Sequence, residues 1–396
     1  MPELQERIVA HHVGARNFTV AFNCPPQLSK HVIHVVYEAD EPCAKEMIAR
    51  NKDENFHILP YCLGQRQGPG KLLICENPYF SSTLEPNPDY GRFYCEVHQD
   101  GLIDGIEVKG ECYDLVYGGG MRVVRIADVV VRTLDDVLDG GDVPENLYPD
   151  VLSLDTQGSE LAILNGGERV FREHCLALAT EIEFHPLYKN QPLFSDIFQF
   201  AYRHGFHFAG FDTLWEFSSC RLPIGARDKG FIGFGDALFL RGIESVRDMA
   251  KSADERYLAL LKLAFIALNF GYLEYAVQAA DAAEALAPAG SLRERLAERD
   301  CYKAVYALRA AVRELPPHYP HRDRTAMMDE LRGVLARAEQ GNQTTAPASE
   351  ADEKYVSPQT TAVEAVLEEF GFLAVAQSVR RRRKVGEGSI AGKMHR

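Results

Sequence analysis

The stretch Pro149-Asp150-Val151-Leu152-Ser153-Leu154-Asp155-Thr156-Gln157-Gly158-Ser159-Glu160-Leu161-Ala162-Ile163-Leu164-Asn165-Gly166-Gly167 decides how the rest of this chain is read. Val151 to Leu154 is an apolar run of buried-strand length. Asp155 stands where that strand ends, and Gly158 permits a tight turn. Ser159 or Thr156 is placed to cap the helix that follows, and Glu160 suits its first turn. Leu161, Ile163 and Leu164 give the helix an apolar side. The order is strand, polar tip, helix, and in open α/β sheets ligands bind at such carboxyl ends of strands. On these residues alone, Asp155 is either a ligand-facing carboxylate or a helix cap.

Upstream, Ile8 to Val13 reads as a first strand, Gly14-Ala15-Arg16-Asn17 as a turn, and Phe18 to Phe22 as the start of a short helix. A strand, a glycine turn and a helix suit a polar cofactor, through helix N-terminal amides and close backbone approach. Val32 to Tyr37 is a second strand, followed by Glu38-Ala39-Asp40 and a helix with Pro42 in its first turn. Glu38 lies 24 residues after Gly14, where an acid is placed to hold ribose hydroxyls; the alternative is an exposed acidic helix start. Phe56 to Gly64 is the third strand and its tip, carrying Cys62. Lys71 to Cys75 opens a β-rich excursion. The Pro-rich segment Asn77 to Asn87, with Tyr79, Phe80, Ser81 and Ser82, is either a pocket lining or a surface loop. Residues 89–120 lack periodicity and read as an irregular insertion. Val123 to Arg132 is a strand, and Thr133 caps a helix that runs through Leu138.

Downstream, Leu176 to Phe184 is a fifth strand on which Glu181 and Glu183 alternate with apolar neighbours. They either bind substrate hydroxyls or act as a base, or else they pair with Arg169, Arg172 or His185. His185 is itself a candidate base, since imidazole titrates near neutrality. Tyr188 is placed to form a pocket wall. Pro192 to Arg203 is an amphipathic helix, and Phe206 to Phe211 and Asp236 to Arg241 are the arms of a closing hairpin around Trp215.

Asp155-Thr156-Gln157-Gly158-Ser159-Glu160-Leu161, followed by Ile163-Leu164-Asn165-Gly166-Gly167, resembles the Asp-x-(Glu/Gln)-Gly-x-Glu-x-x-(Val/Ile)-Leu-x-Gly segment of the FkbM family. Thr133 to Leu138 and Glu38 to Pro42 are similar to further segments of that family, and the resemblance spans residues 8–241. The family's Asp-Val-Gly-Ala-Asn loop with its second glycine appears here as His12-Val13-Gly14-Ala15-Arg16-Asn17, so the leading Asp and the second Gly are missing. The resemblance implies an α/β fold of the class I methyltransferase, Rossmann-like kind, with helices on both faces of the sheet. It implies S-adenosylmethionine as cofactor, held by Gly14, Ala15, Arg16, Glu38, Ala39, Cys62 and Asp155. It implies methyl transfer to a hydroxyl of a sugar, glycan or related metabolite, served by Asp155, Glu181 and His185, with no metal. The Ser81-Ser82 segment would cover the cofactor mouth. A reading from another class is a non-catalytic Rossmann-like scaffold acting with the helical C-terminal region. An NAD-dependent dehydrogenase fits less, because the Gly-x-Gly-x-x-Gly loop is absent.

The chain has 396 residues, 46% of them hydrophobic, which suffices for a sizeable core and more than one domain. No apolar run is long enough to cross a membrane, and the charged start predicts no signal peptide. A formal charge of −14 argues against a nucleic-acid partner. Nine scattered cysteines, none in a Cys-x-x-Cys pair, predict reduced thiols and a cytoplasmic protein. The expected organisation is a methyltransferase domain over residues 1–245, a helical region over 250–340 and a tail over 341–396. Tyr257 to Leu286 resembles one tetratricopeptide unit, with Gly271, Ala276, Ala283 and Pro288 at that repeat's offsets. This region reads as an appendage dispensable for cofactor binding and open to a protein partner. Leu292 to Leu315 and Thr325 to Ala338 read as further helices. Gly341 to Ser357 reads as disordered, Thr361 to Val379 as a last helix, and Arg380 to Lys384 as a basic run on a solvated tail.

Overall fold

The computed structural model describes residues 4–87, 101–103, 106–108, 120–144, 146–217, 231–249, 252–286, 291–313 and 358–379. In chain order the strands are β1 (Ile8–Val13), β2 (Val32–Tyr37), β3 (Phe56–Leu59), β4 (Cys62–Leu63), β5 (Gly68–Cys75), β6 (Gly101–Ile103), β7 (Ile106–Val108), β8 (Val123–Arg132), β9 (Val151–Leu154), β10 (Ala177–Glu183), β11 (Phe206–Phe217) and β12 (Phe231–Arg241). The helices are α1 (Glu41–Arg50), α2 (Leu134–Asp139), α3 (Glu160–Gly166), α4 (Glu168–Glu173), α5 (Phe194–Arg203), α6 (Ile243–Met249), α7 (Ala253–Asn269), α8 (Leu273–Leu286), α9 (Ser291–Ala297), α10 (Asp300–Arg313) and α11 (Pro358–Glu369).

Seven strands form one sheet in the order β11-β12-β10-β9-β1-β2-β3. The five from β10 to β3 run parallel, and β12 and β11 close the edge as an antiparallel pair. Numbered within the sheet from the β3 edge, the order is 3-2-1-4-5-7-6. Both faces are covered, which is why β1, β2 and β9 are buried at every residue.

Alternate residues of each strand enter different cores. Val9, Val35, Leu152, Leu178 and Phe239 pack with Leu134 of α2, Leu164 of α3, Phe171 of α4 and Ile197 of α5. Ile8, Ala10, Val32, Val151, Ala177 and Leu240 pack instead with α7, α8, α10 and α11, in one cluster that reaches Phe372 and Ala376. The C-terminal helices are therefore the second cover of the sheet and not a free-standing appendage. Helix α7 is buried almost all round, as a helix inside a core must be. Its Lys262 is buried too, because the ammonium reaches both carboxylate oxygens of Asp150 at 3.0 and 2.8 Å at the start of β9. Asp150 also accepts the Val9 amide at 2.8 Å, tying α7 to β1 and β9 together.

Several local expectations change. The helix expected from Phe18 is a single 3-10 turn, Arg16–Phe18, because Asn17 and Phe18 take left-handed φ angles of 54° and 62°. The third strand splits at Pro60: β3 stays in the large sheet, while β4 joins β8 and β5 in a three-stranded sheet. The hairpin arms extend well beyond the expected spans, to Phe217 and back from Phe231. Leu292 to Leu315 breaks into α9 and α10, and the expected last helix breaks at Gly371, φ 81°, into α11 and a further helical segment over 373–379. Residues 325–338, 341–357 and 380–384, and most of 89–120, lie outside the described residues.

Candidate active site at the strand ends

From β1 the chain winds outward through β2 to β3, then returns to β9 on the other side of β1 and winds the opposite way. The crevice left at such a reversal, outside the carboxyl ends of the strands, is where open α/β sheets bind ligands. Gly14 follows β1 there with φ 84°, and a Cβ on it would stand 1.8 Å from the Asp155 carbonyl oxygen. Only glycine lets the two strand ends close, which they do through the Asp155 amide on the Val13 carbonyl at 3.0 Å.

Val13, Gly14, Arg16, Glu38, Ala39, Cys62 and Asp155 line one cleft with Thr156, Gln157 and Ser159. Six of the seven residues expected at the cofactor thus come together. Ala15 does not, because its methyl is buried against Val36 and Met47. Pro78, Tyr79, Ser81 and Thr83 form another wall of the cleft. That segment is anchored to the turn after β9: Ser82 Oγ donates to the Gln157 carbonyl at 2.7 Å, and Thr83 Oγ1 meets Ser159 Oγ at 2.6 Å.

Glu38 is buried at the end of β2, accepting the Asp40 amide at 2.8 Å, with Arg16 Nε 3.9 Å away. Burial pushes its carboxyl up, and the Asp40 amide and Arg16 pull it back. Asp40, the residue before α1, makes no cap hydrogen bond. Its oxygens are taken by Arg16 at 3.0 Å and by Arg125 of β8 at 2.6 Å. That last pair joins the small sheet to the cleft.

Neither Ser159 nor Thr156 caps α3. Glu160 folds the turn instead, its Oε1 accepting the Thr156 amide at 2.8 Å, the Thr156 hydroxyl at 2.9 Å and the Gly158 amide at 3.2 Å. This leaves Asp155 free of capping duty. Its carboxylate opens into the cleft, yet protein surrounds it. Desolvation there raises its pKa, the Gln157 amide pulls it back, and Asp236 pushes it up again. The registers explain the company it keeps: Leu154 pairs with Thr180 and Glu181 with Asp236, so Asp155, Glu181 and Asp236 stand in a row across β9, β10 and β12. Glu181 is held well above the usual carboxylate range, first by burial and then by Asp155 and Glu183. No group of three or more His, Cys, Asp or Glu among the described residues is arranged to hold a metal.

Two residues that sequence reasoning did not mark as functional connect this row. Gln157 Nε2 donates to Asp155 Oδ1 at 3.0 Å and to Glu181 Oε2 at 2.5 Å. In the sequence Asp236 is no more than the start of a strand. Gln157 was visible inside the Asp-Thr-Gln-Gly motif, but nothing in the sequence said which way its amide would face. Tyr188, expected as a wall, is buried, and its hydroxyl proton is shared between the Phe80 carbonyl at 2.8 Å and Gln157 Oε1 at 3.1 Å. His185 is not brought to the cleft: two residues beyond β10, its ring lies edge-on to Phe231 at 6.4 Å. His12 is buried in the sheet, with its Nε2 on His34 Nδ1 at 3.1 Å.

A 3-2-1-4-5-7-6 sheet covered on both faces, with its cleft at the β1/β9 reversal, is the Rossmann-like α/β fold of class I methyltransferases. Residues 12–208 match the profile of the Methyltransferase FkbM domain, a likeness that supports a methyltransferase function. A crystal structure of Methyltransferase FkbM from Methylobacillus flagellatus KT matches at 12% identity over 59% of this chain, with a TM-score of 0.29. The match spans 44% of that protein's own chain. No curated protein matches the chain. No described helix is long and apolar enough to cross a membrane.

Proposed function

We propose that this protein is an S-adenosylmethionine-dependent methyltransferase acting on a hydroxyl of a sugar, glycan or related small metabolite. The observation that carries the reading is the convergence of Gly14, Glu38 and Asp155 on one cleft at the sheet's reversal. The residues there fit the cofactor. Glu38 spends one oxygen on the Asp40 amide and keeps acceptor capacity for ribose hydroxyls. Asp155 and its acidic neighbours suit a cationic group. Bound there, the cofactor supplies an activated methyl group on a positively charged sulfur.

The chain's own part is to orient and to move a proton. Glu38 and the Gly14 turn fix the nucleoside end, and the segment Pro78 to Thr83 keeps water off the reacting atoms. Asp155, opening into the cleft, accepts the acceptor hydroxyl's proton. In this reading the α7–α8 hairpin, although similar in sequence to one tetratricopeptide unit, serves as the sheet's cover. The six cysteines among the described residues are all free thiols, which supports a reducing, cytoplasmic setting.

Isothermal titration with S-adenosylmethionine tests the reading. Wild type should bind, and Glu38→Ala should weaken binding by about 1–3 kcal/mol, the loss of a charged hydrogen-bond acceptor. An unchanged dissociation constant removes Glu38 from the cofactor site. One observation favours a second reading, a non-catalytic scaffold: in a loop that lacks the family's second glycine, the Arg16 guanidinium lies against Glu38 and Asp40. Failure of wild type to bind the cofactor at millimolar concentration would support it.

A further inference from the structure

We infer that Gln157 is the positioning residue of this site: its amide clamps the carboxyls of Asp155 and Glu181 together and fixes Asp155 as the one that takes the acceptor's proton. The inference rests on the methyl-transfer reading of the cleft.

A primary amide has two N–H groups, and the Gln157 nitrogen contacts one oxygen of each acid, at 3.0 Å on Asp155 and 2.5 Å on Glu181. The two carboxyls that its nitrogen faces orient the amide, and its oxygen lies 3.1 Å from the Tyr188 hydroxyl. The backbone is pinned as well, with Ser82 Oγ on the Gln157 carbonyl at 2.7 Å. Gln157 holds φ at 58°, a left-handed conformation that a non-glycine residue keeps only where its surroundings impose it. It is also buried. A glutamine with its side-chain amide and its carbonyl committed, in a left-handed conformation, between two carboxyls at neighbouring strand ends is a built device, since a helix-start residue needs none of this.

The consequence is an ordered pair. Asp155 and Glu181 also act on each other directly. The charged groups acting most on Glu181 are Asp155 from β9, Glu183 from its own strand, Glu160 from α3 and Asp236 from β12, all acidic; the Tyr188 hydroxyl faces it as well. Like charges so close do not all ionise, so the pair holds one proton. Glu181 is the more enclosed partner and keeps that proton, which leaves Asp155 ionised at the open cleft. During transfer the acceptor oxygen bonds to the methyl carbon as the carbon–sulfur bond breaks and its electron pair leaves on sulfur. The hydroxyl proton passes to Asp155.

The test reads the pair without needing turnover. The infrared carboxylic-acid band of Glu181, identified by its loss in Glu181→Gln, is titrated in wild type and in Gln157→Leu. Removing two N–H donors that favour the ionised pair should raise the midpoint by about one pH unit or more. The acid limb of the kcat profile, which reports protonation of Asp155, should move up as well, with kcat down at least about tenfold and the acceptor KM little changed. If Gln157→Leu does not fold, Gln157→Glu serves instead: a third carboxyl must raise the midpoint too. An unmoved band in the folded variant overturns the clamp. A wild-type protein that binds no S-adenosylmethionine overturns the methyl-transfer reading and the role of Asp155 with it, whereas the infrared titration decides the Gln157 clamp by itself.

Discussion

Cutting the chain after Arg241 should destroy the sheet domain, contrary to the dispensable appendage that composition suggests. The cut removes α7, α8, α10 and α11, which together cover one face of the sheet. Eight large apolar residues of the sheet half lose that cover: Ile8, Phe22, Leu28, Val32, Val151, Leu176, Leu238 and Leu240, all 4% exposed or less. Burying such a side chain fully is worth about 1.5–3 kcal/mol. These residues also pack on one another, so if only a third of that value comes from the helices, the loss is still about 4–8 kcal/mol. The cut also takes Lys262 from Asp150, but by removing α7 it opens that carboxylate to water, so no buried charge is left behind. The loss of apolar cover is comparable to the roughly 5–15 kcal/mol that holds a typical domain folded. Expression of residues 1–241 should give insoluble or dye-binding, non-cooperatively melting protein, assayed by size exclusion, anilinonaphthalene sulfonate fluorescence and thermal unfolding. A soluble monomer with a sharp transition would show that the helices are not the sheet's second wall. Lys262→Met in the full chain isolates the ion pair, and its unfolding free energy should fall by several kcal/mol on the same scale.

Asp155→Asn should lower turnover about a hundredfold with the fold intact, measured by product formation and circular dichroism; near-normal turnover would return Asp155 to a structural role. Arg241→Met should destabilise by at least about 3 kcal/mol in a denaturant titration, because the guanidinium, 2% exposed, donates to the carbonyls of Cys175, Phe171, Arg172 and His204 and leaves them unpaired when lost. Burial lowers the imidazoles of His11 to about 3 and His34 to about 4 from 6.5, so the unfolded chain binds more protons below pH 6.5, and stability is lost as pH falls from there toward those values. Each contributes a slope of about 1.4 kcal/mol per pH unit, while the buried acids pull the other way. His34→Phe, which keeps the stack on Phe56, should therefore flatten the acid side of the stability curve by that amount; an unchanged slope between pH 6.5 and 4 would mean that His34 is not held neutral.

Much of the site was legible because strand ends and turns are local. An apolar run, an acid and a glycine place Asp155 at a strand tip, and the 24-residue spacing places Glu38 at the next but one. The glycines of the Asn165-Gly166-Gly167 end of the motif have a reason the sequence does not state: a Cβ on Gly166 would stand 2.1 Å from the Gly64 carbonyl oxygen, where the third strand's tip crosses α3. His185 looked like a base because its side-chain chemistry is right, and two residues of chain past β10 carried it to Phe231. The partners of Glu181 were illegible for a related reason. Its neighbours Asp155 and Asp236 lie 26 and 55 positions away, and only the β9–β10–β12 registers align them.

The sequence by itself determined the βα alternation, the glycine turn and the acids at strand tips, since periods of two and about 3.6 residues and φ preferences are properties of short segments. Only the tertiary structure decided that the Ala-rich helices beyond residue 250 wall the sheet, that Glu160 and not Ser159 shapes the turn, and that Gln157 faces two carboxyls. Those outcomes depend on which surfaces meet and on which buried polar group finds a partner. Both are settled by the whole chain's packing, where one apolar face can be covered only once and every buried donor competes for the few acceptors in reach.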